Sequence, residues 1–252
     1  MTRLKLFVLL NSLLLCSPVM SNSNTSVSKQ NLTICSESGF PPFEMKDDSG
    51  QWKGFDIDII QKFAQESNLN LIMLDISLDG LIPALTTKKC DLIVSGLTVT
   101  EERSQVVLFT KPVYSVTVTA AFLDSEESRN RFKSFSDMDK KGIKIASQTG
   151  SAASLYLKKT ISQASLMFYS SENDEVSAIL QKKTHVFVDD NVFISHVEKK
   201  LNRKFYQLPL SERGDIAFAA RKEDTELVHK LNVFIEKIKL SGEYEGIVKK
   251  YF

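Results

Sequence analysis

Arg103, Asp190 and Glu37 are the charged residues of this 252-residue chain whose surroundings could do chemistry together. Arg103 follows Ser95, Gly96 and Thr98, which leave an apolar run at Asp91–Ser95. A guanidinium there can grip a carboxylate with two parallel hydrogen bonds. Gln148, Gly150, Ser151 and Ala152 follow a second apolar run, Ile143–Ser147, and open a helical pattern. The first N–H groups of such a helix have no intrahelical acceptor and suit an anion. Glu37 and Asp190 each follow a strand-like run and supply carboxylates, while Phe40 and Phe55 offer apolar walls. A free amino acid needs this set: donors for its carboxylate, an acid for its ammonium and a face for its side chain. Charged hydrogen bonds are worth about 1.5–3 kcal/mol each, so four or five, less the entropy of association, reach micromolar binding near −8 kcal/mol. Each residue also has an ordinary reading. Arg103 could be a surface ion-pair partner, Asp190 a helix cap, Phe40 and Phe55 core rings, and Glu37 a solvated loop charge.

The elements that must position these residues follow from periodicity. Leu32–Ser36, Leu69–Leu74 and Asp91–Ser95 read as strands. They alternate with a helical pattern from Asp56 and with one capped by Asp79 and running through Leu85, the latter with Pro83 expected in its first turn. Thr100 caps a short helix carrying Glu101, Glu102 and Arg103. After the apolar stretch Val116–Leu123 and a charged, irregular segment at Ser125–Lys141, the alternation returns. Strands at Ile143–Ser147, Leu166–Tyr169 and His185–Val188 interleave with helices from Ser151, Asn173 and Val192. A strand at Ile216–Ala220, a long helix ending at Gly242 and a last short helix close the chain. Two βαβαβ sets predict two α/β lobes, and in such sheets ligands bind at the carboxyl ends of the strands, where the residues above fall.

Charge is balanced, with 32 basic and 31 acidic side chains, so no concentrated basic face points to nucleic acid. The three histidines have no metal-ligand spacing, and glycine-rich nucleotide loops and a Gly-x-Ser-x-Gly elbow are missing, so no metal or cofactor is expected. Residues 1–21 join a basic start (Arg3, Lys5) to a short apolar run and small residues, the pattern of a secretory signal. The run is shorter than the roughly 20 residues of a membrane span. Leu15 before Cys16 disfavours a lipid anchor at that cysteine, and residues 22–30 read as a flexible tail. Export permits a Cys35–Cys90 disulfide. Placed on neighbouring strands near opposite ends, however, the two cysteines are expected to be separate buried thiols.

Several segments resemble the polar amino-acid-binding proteins of bacterial ABC importers. They are Phe40-Pro41-Pro42-Phe43, Gly54-Phe55-Asp56-Ile57-Asp58-Ile59, Asp79-Gly80-Leu81-Ile82-Pro83-Ala84-Leu85, Ser95 to Arg103, Arg221 to Leu227 and Gly242-Glu243-Tyr244. Their order and spacing carry the resemblance from about Leu32 to Phe252. It implies a two-lobed periplasmic-binding-protein fold (type II, Venus flytrap), each lobe a mainly parallel sheet flanked by helices, with a two-strand hinge. Lobe 1 would comprise residues 31–116 and 215–252, and lobe 2 residues 117–214. By the same resemblance Arg103 clamps the ligand carboxylate, with Ser151 and Ala152 at the helix end. Gly96 and Thr98 assist, Ser95 and Gln148 line the cleft, and Asp190 takes the ammonium. Phe40 and Phe55 form the walls, and Glu37 stands where relatives that bind basic amino acids carry an acid. Ala152 departs from the common threonine, losing a hydroxyl. The resemblance further implies a periplasmic monomer that captures a free L-amino acid, arginine favoured, and hands it to an inner-membrane ABC permease. An exported enzyme of the cyclohexadienyl dehydratase kind, on the same fold, is the alternative, with Glu37 and Asp190 as acid and base.

Overall fold

The computed structural model describes residue 2 and residues 29–252, apart from the side chain of Glu212. The expected signal segment apart from residue 2, with Cys16, and all but the end of the expected tail lie outside the described residues. β1 (Gln30–Ser36) begins at the position where that tail was expected to end. A small meander follows, formed by β2 (Gly39–Phe40), β3 (Glu44–Lys46) and β4 (Trp52–Lys53). Next come α1 (Phe55–Glu66), β5 (Leu69–Asp75), α2 (Leu78–Thr86), β6 (Leu92–Ile93), α3 (Glu101–Val106) and β7 (Val107–Phe109). The long β8 (Tyr114–Leu123) leads to α4 (Glu126–Arg131) and α5 (Phe135–Met138), two short helices where an irregular segment was expected. The second alternation is β9 (Lys144–Gln148), α6 (Ala152–Thr160), β10 (Ser165–Tyr169), α7 (Glu172–Leu180), β11 (Val186–Asp190) and α8 (Asn191–Leu201). The chain closes with β12 (Phe205–Ile216), β13 (Ala219–Arg221), α9 (Thr225–Ser241) and α10 (Glu243–Tyr251).

Two five-stranded sheets result, ordered β5-β1-β6-β13-β7 and β10-β9-β11-β8-β12. In each, the three strands of the βαβαβ set pair in parallel. The strands that enter and leave pair antiparallel, which makes both sheets mixed. Buried apolar side chains cover both faces of both sheets, as two-sided sheets require. β8 and β12 run side by side in the second sheet and lead to the first. At their first-sheet end Val113 N donates to Ile216 O, and Val99 N to Asp215 O.

Three local expectations are corrected. α2 starts at Leu78 behind an N-cap at Ser77, not behind a cap at Asp79, so Pro83 sits at its sixth residue and not in its first turn. β12 was anticipated only at its end, near Ile216, because Pro209 and the run Ser211-Glu212-Arg213-Gly214-Asp215 break the alternation of a strand. The register indeed shifts between Pro209 and Arg213. Third, Cys35 and Cys90 form a disulfide, with Cα atoms 5.7 Å apart. Cys90 is not on a strand but in the turn leaving α2, which lies over the sheet face. It therefore meets Cys35 from above the sheet, not along it.

Candidate ligand-binding site

The carboxyl ends of the two parallel strand sets face each other, and the loops after β1, β6, β9 and β11 meet at a cleft enclosing about 460 Å³, open solvent included. Arg103 is the third residue of α3, whose N-terminus is fixed by Thr100, the side chain of which accepts from Arg103 N at 3.2 Å. Its side chain is 7% exposed, and no acidic side chain among the described residues ion-pairs with it. Nη1 donates to Thr98 O at 2.6 Å, and Nη2 crosses the cleft to Gly150 O at 2.9 Å. A guanidinium has five N–H donors, so three remain for a ligand. Burial draws Arg103 down to about 10, which leaves it charged at neutral pH.

Opposite it, Ser151 caps α6 by accepting from Ser154 N at 2.9 Å. The first turn of α6, at Ala152 and Ala153, lines the cleft. Asp190 ends β11 and caps α8, its Oδ1 accepting from Val192 N and Phe193 N at 2.8 and 2.7 Å. One oxygen holds the helix, and the side chain also lines the cleft, so the capping and site readings are compatible. Burial and the neighbouring Asp189 raise Asp190 to about 8.

Glu37 is buried and not a solvated charge. Its backbone N–H donates to Ser95 Oγ, and Gln148 Nε2 reaches across to both carboxylate oxygens at 2.9 and 3.0 Å. Ser95 Oγ in turn donates to Glu44 Oε1, and Gly96 N to Asp56 Oδ2. Gly96 has φ +47°, and a Cβ there would lie 2.6 Å from the Phe40 ring, so only glycine lets that ring cover the cleft. Phe40 stacks between Phe43 and Phe193 at 5.5 Å from each, joining the cores beneath both sheets.

Ten of the eleven expected residues thus line one cleft: Glu37, Phe40, Ser95, Gly96, Thr98, Arg103, Gln148, Ser151, Ala152 and Asp190. Phe55 does not. As the first residue of α1 it shares an apolar stripe with Ile59 and Phe63, and its fully buried ring packs on Phe43, Tyr114, Tyr244 and Phe252. Sequence reasoning missed Glu44, Leu78, Glu172 and Asp189, which also line the cleft. Asp189 was visible as one half of an acidic doublet at a strand end. Glu44 and Glu172 carry no such mark, because only the meander and the exact start of α7 turn them inward.

The family description for bacterial extracellular solute-binding proteins, family 3, matches residues 32–252. The chain belongs to that family. This solute-binding protein is 31% identical over 227 residues to the L-arginine-binding protein of Pseudomonas aeruginosa, covering 86% of this chain and 85% of that one. It is 25% identical to the histidine-binding periplasmic protein of Escherichia coli K12, with 88% of each chain covered. Among solved structures, an ABC-transporter binding component of Wolinella succinogenes complexed with lysine superposes with a TM-score of 0.81 at 30% identity, covering 88% of this chain and 95% of that one. An ancestral amino acid-binding protein, described as a precursor of cyclohexadienyl dehydratase, superposes equally well at 27% identity, with the same coverage. The named relatives are binding proteins and not enzymes, and the family is extracytoplasmic. No helix among the described residues is long and apolar enough to cross a membrane.

Proposed function

We propose that this solute-binding protein captures a free amino acid with a cationic side chain, arginine first among them, and delivers it as a monomer to an ABC permease of the inner membrane. The observation that carries this reading is the charge of the cleft. Five acids line it (Glu37, Glu44, Glu172, Asp189 and Asp190) against one cation, Arg103. Arg103 and the α6 N-terminus take the ligand carboxylate. Asp190 takes the ammonium, which leaves a buried surplus of acids that must hold protons unless a further positive charge takes their place. The lobes, residues 31–116 with 215–252 and residues 117–214, close about β8 and β12. Arginine contacts both lobes only in the closed form and shifts the population toward it. An arginine-binding relative and a lysine-bound neighbour support the class of ligand.

Thermal melting of the secreted protein against all twenty amino acids tests this. A ligand at 100 times its Kd adds about 2.7 kcal/mol of stability. Arginine should give the largest shift, lysine a smaller one, and both should be recovered unchanged. A largest shift from an acidic or aliphatic amino acid would overturn the ligand class.

A further inference from the structure

We infer that Glu172, contributed by the second strand set, shares the cation of the ligand side chain with Glu37 across the cleft and is the residue that selects a charged side chain over a neutral one of the same shape. The inference rests on the basic-amino-acid reading above and assigns its selectivity to one group. Glu172 is the first residue of α7 and lines the cleft while only 2% exposed. Its Oε2 is fully buried without a hydrogen-bond partner. It reaches the space over Gly39, where a Cβ would stand 3.3 Å from Oε2, so the bare backbone of β2 makes room for it. On the other side is Glu37, which accepts from the neutral amide of Gln148 across the cleft.

Two buried carboxyls this close cannot both ionise, so one keeps a proton. Burial, then the charges of Glu37 and Asp189, push Glu172 up to about 9. Glu172 then donates its proton to Glu37. The other ionisable groups facing the pair are Glu44 and Asp189, with Glu175 behind them. Asp190 and Arg103 line the same cleft. No group of three or more carboxylates among the described residues is arranged to hold a metal ion. A guanidinium or ammonium fits because it replaces that proton: it supplies N–H donors to Glu37 and to the unpartnered Oε2 and lets both carboxylates ionise. A neutral side chain cannot displace the proton, so closure over it leaves the pair as it was.

The test is calorimetric titration of ligand-free protein with arginine and with citrulline, the uncharged isostere of arginine. Wild type should prefer arginine, and Glu172→Gln should lose about tenfold or more of its arginine affinity while keeping that for citrulline. In wild type, titration near pH 7 in two buffers of different ionisation enthalpy should show more proton release with arginine than with citrulline, since the ammonium of either ligand draws the proton from Asp190 and only arginine also draws that of Glu172. That measurement needs no variant to fold. An unchanged arginine-to-citrulline ratio in Glu172→Gln, or equal proton release for both ligands, would overturn the assignment to Glu172. Wild type that binds no cationic amino acid would instead remove the reading beneath it.

Discussion

Arg103 is held by two backbone carbonyls and no carboxylate, an arrangement that preserves its charge for an incoming anion. Arg103→Ala should abolish the arginine-induced melting shift while far-ultraviolet circular dichroism stays native; an undiminished shift would remove Arg103 from the site. Phe55 behaves oppositely. Phe55→Ala should cost about 3–5 kcal/mol in denaturant unfolding, as removal of a packed core ring does, and leave the order of ligand preference intact. The two aromatics of the expected wall could not be told apart by type. Phe40 and Phe55 both follow a glycine, and only the helix that begins at Phe55 decides that its ring turns inward. Charged residues were more legible, because a strand's carboxyl end is a place the periodicity already identifies. Acids contributed from a meander or a helix start, Glu44 and Glu172, carried no comparable signal.

At the scale of elements, the two βαβαβ sets were readable because period-2 and period-3.6 runs alternate cleanly along them. Most of β12 was not, since its proline and charges contradict strand propensity and tertiary pairing with β8 overrides them. The cysteine pair shows the same limit. Sequence spacing places Cys90 beside a strand, while the turn leaving α2 lifts it onto the face where Cys35 points. The bridge ties that turn to β1, the strand that ends one residue before Glu37, and closes a 55-residue separation. Replacing both cysteines with alanine should therefore lower the unfolding free energy by about 2–4 kcal/mol by urea titration. Arginine affinity should fall less than tenfold, since the strand keeps both its sheet neighbours.

For the whole molecule, the buried acids set the response to pH. Burial raises Asp189 to about 6, Asp56 to about 7, Asp190 to about 8 and Glu172 to about 9. Between the ordinary carboxyl range near 4 and these values the folded protein binds more protons than the unfolded chain, so stability falls as pH rises. The ligand-free melting temperature should be higher at pH 5 than at pH 8, and saturating arginine should narrow that gap. Equal ligand-free values at the two pH values would contradict the burial of these acids as charged-state penalties. Asp137 and Asp139, whose hydrogen bonds hold them low, contribute only under stronger acid.

The small meander carries a further consequence. Phe40 and Glu44, both at the cleft, belong to the same three strands as Trp52, the sole indole of the chain. Lys46, paired with Trp52 across those strands, sets its ammonium 5.0 Å from the indole ring. The protein thus comes with its own optical reporter: the emission of that indole should change as the lobes engage a ligand, without any attached dye.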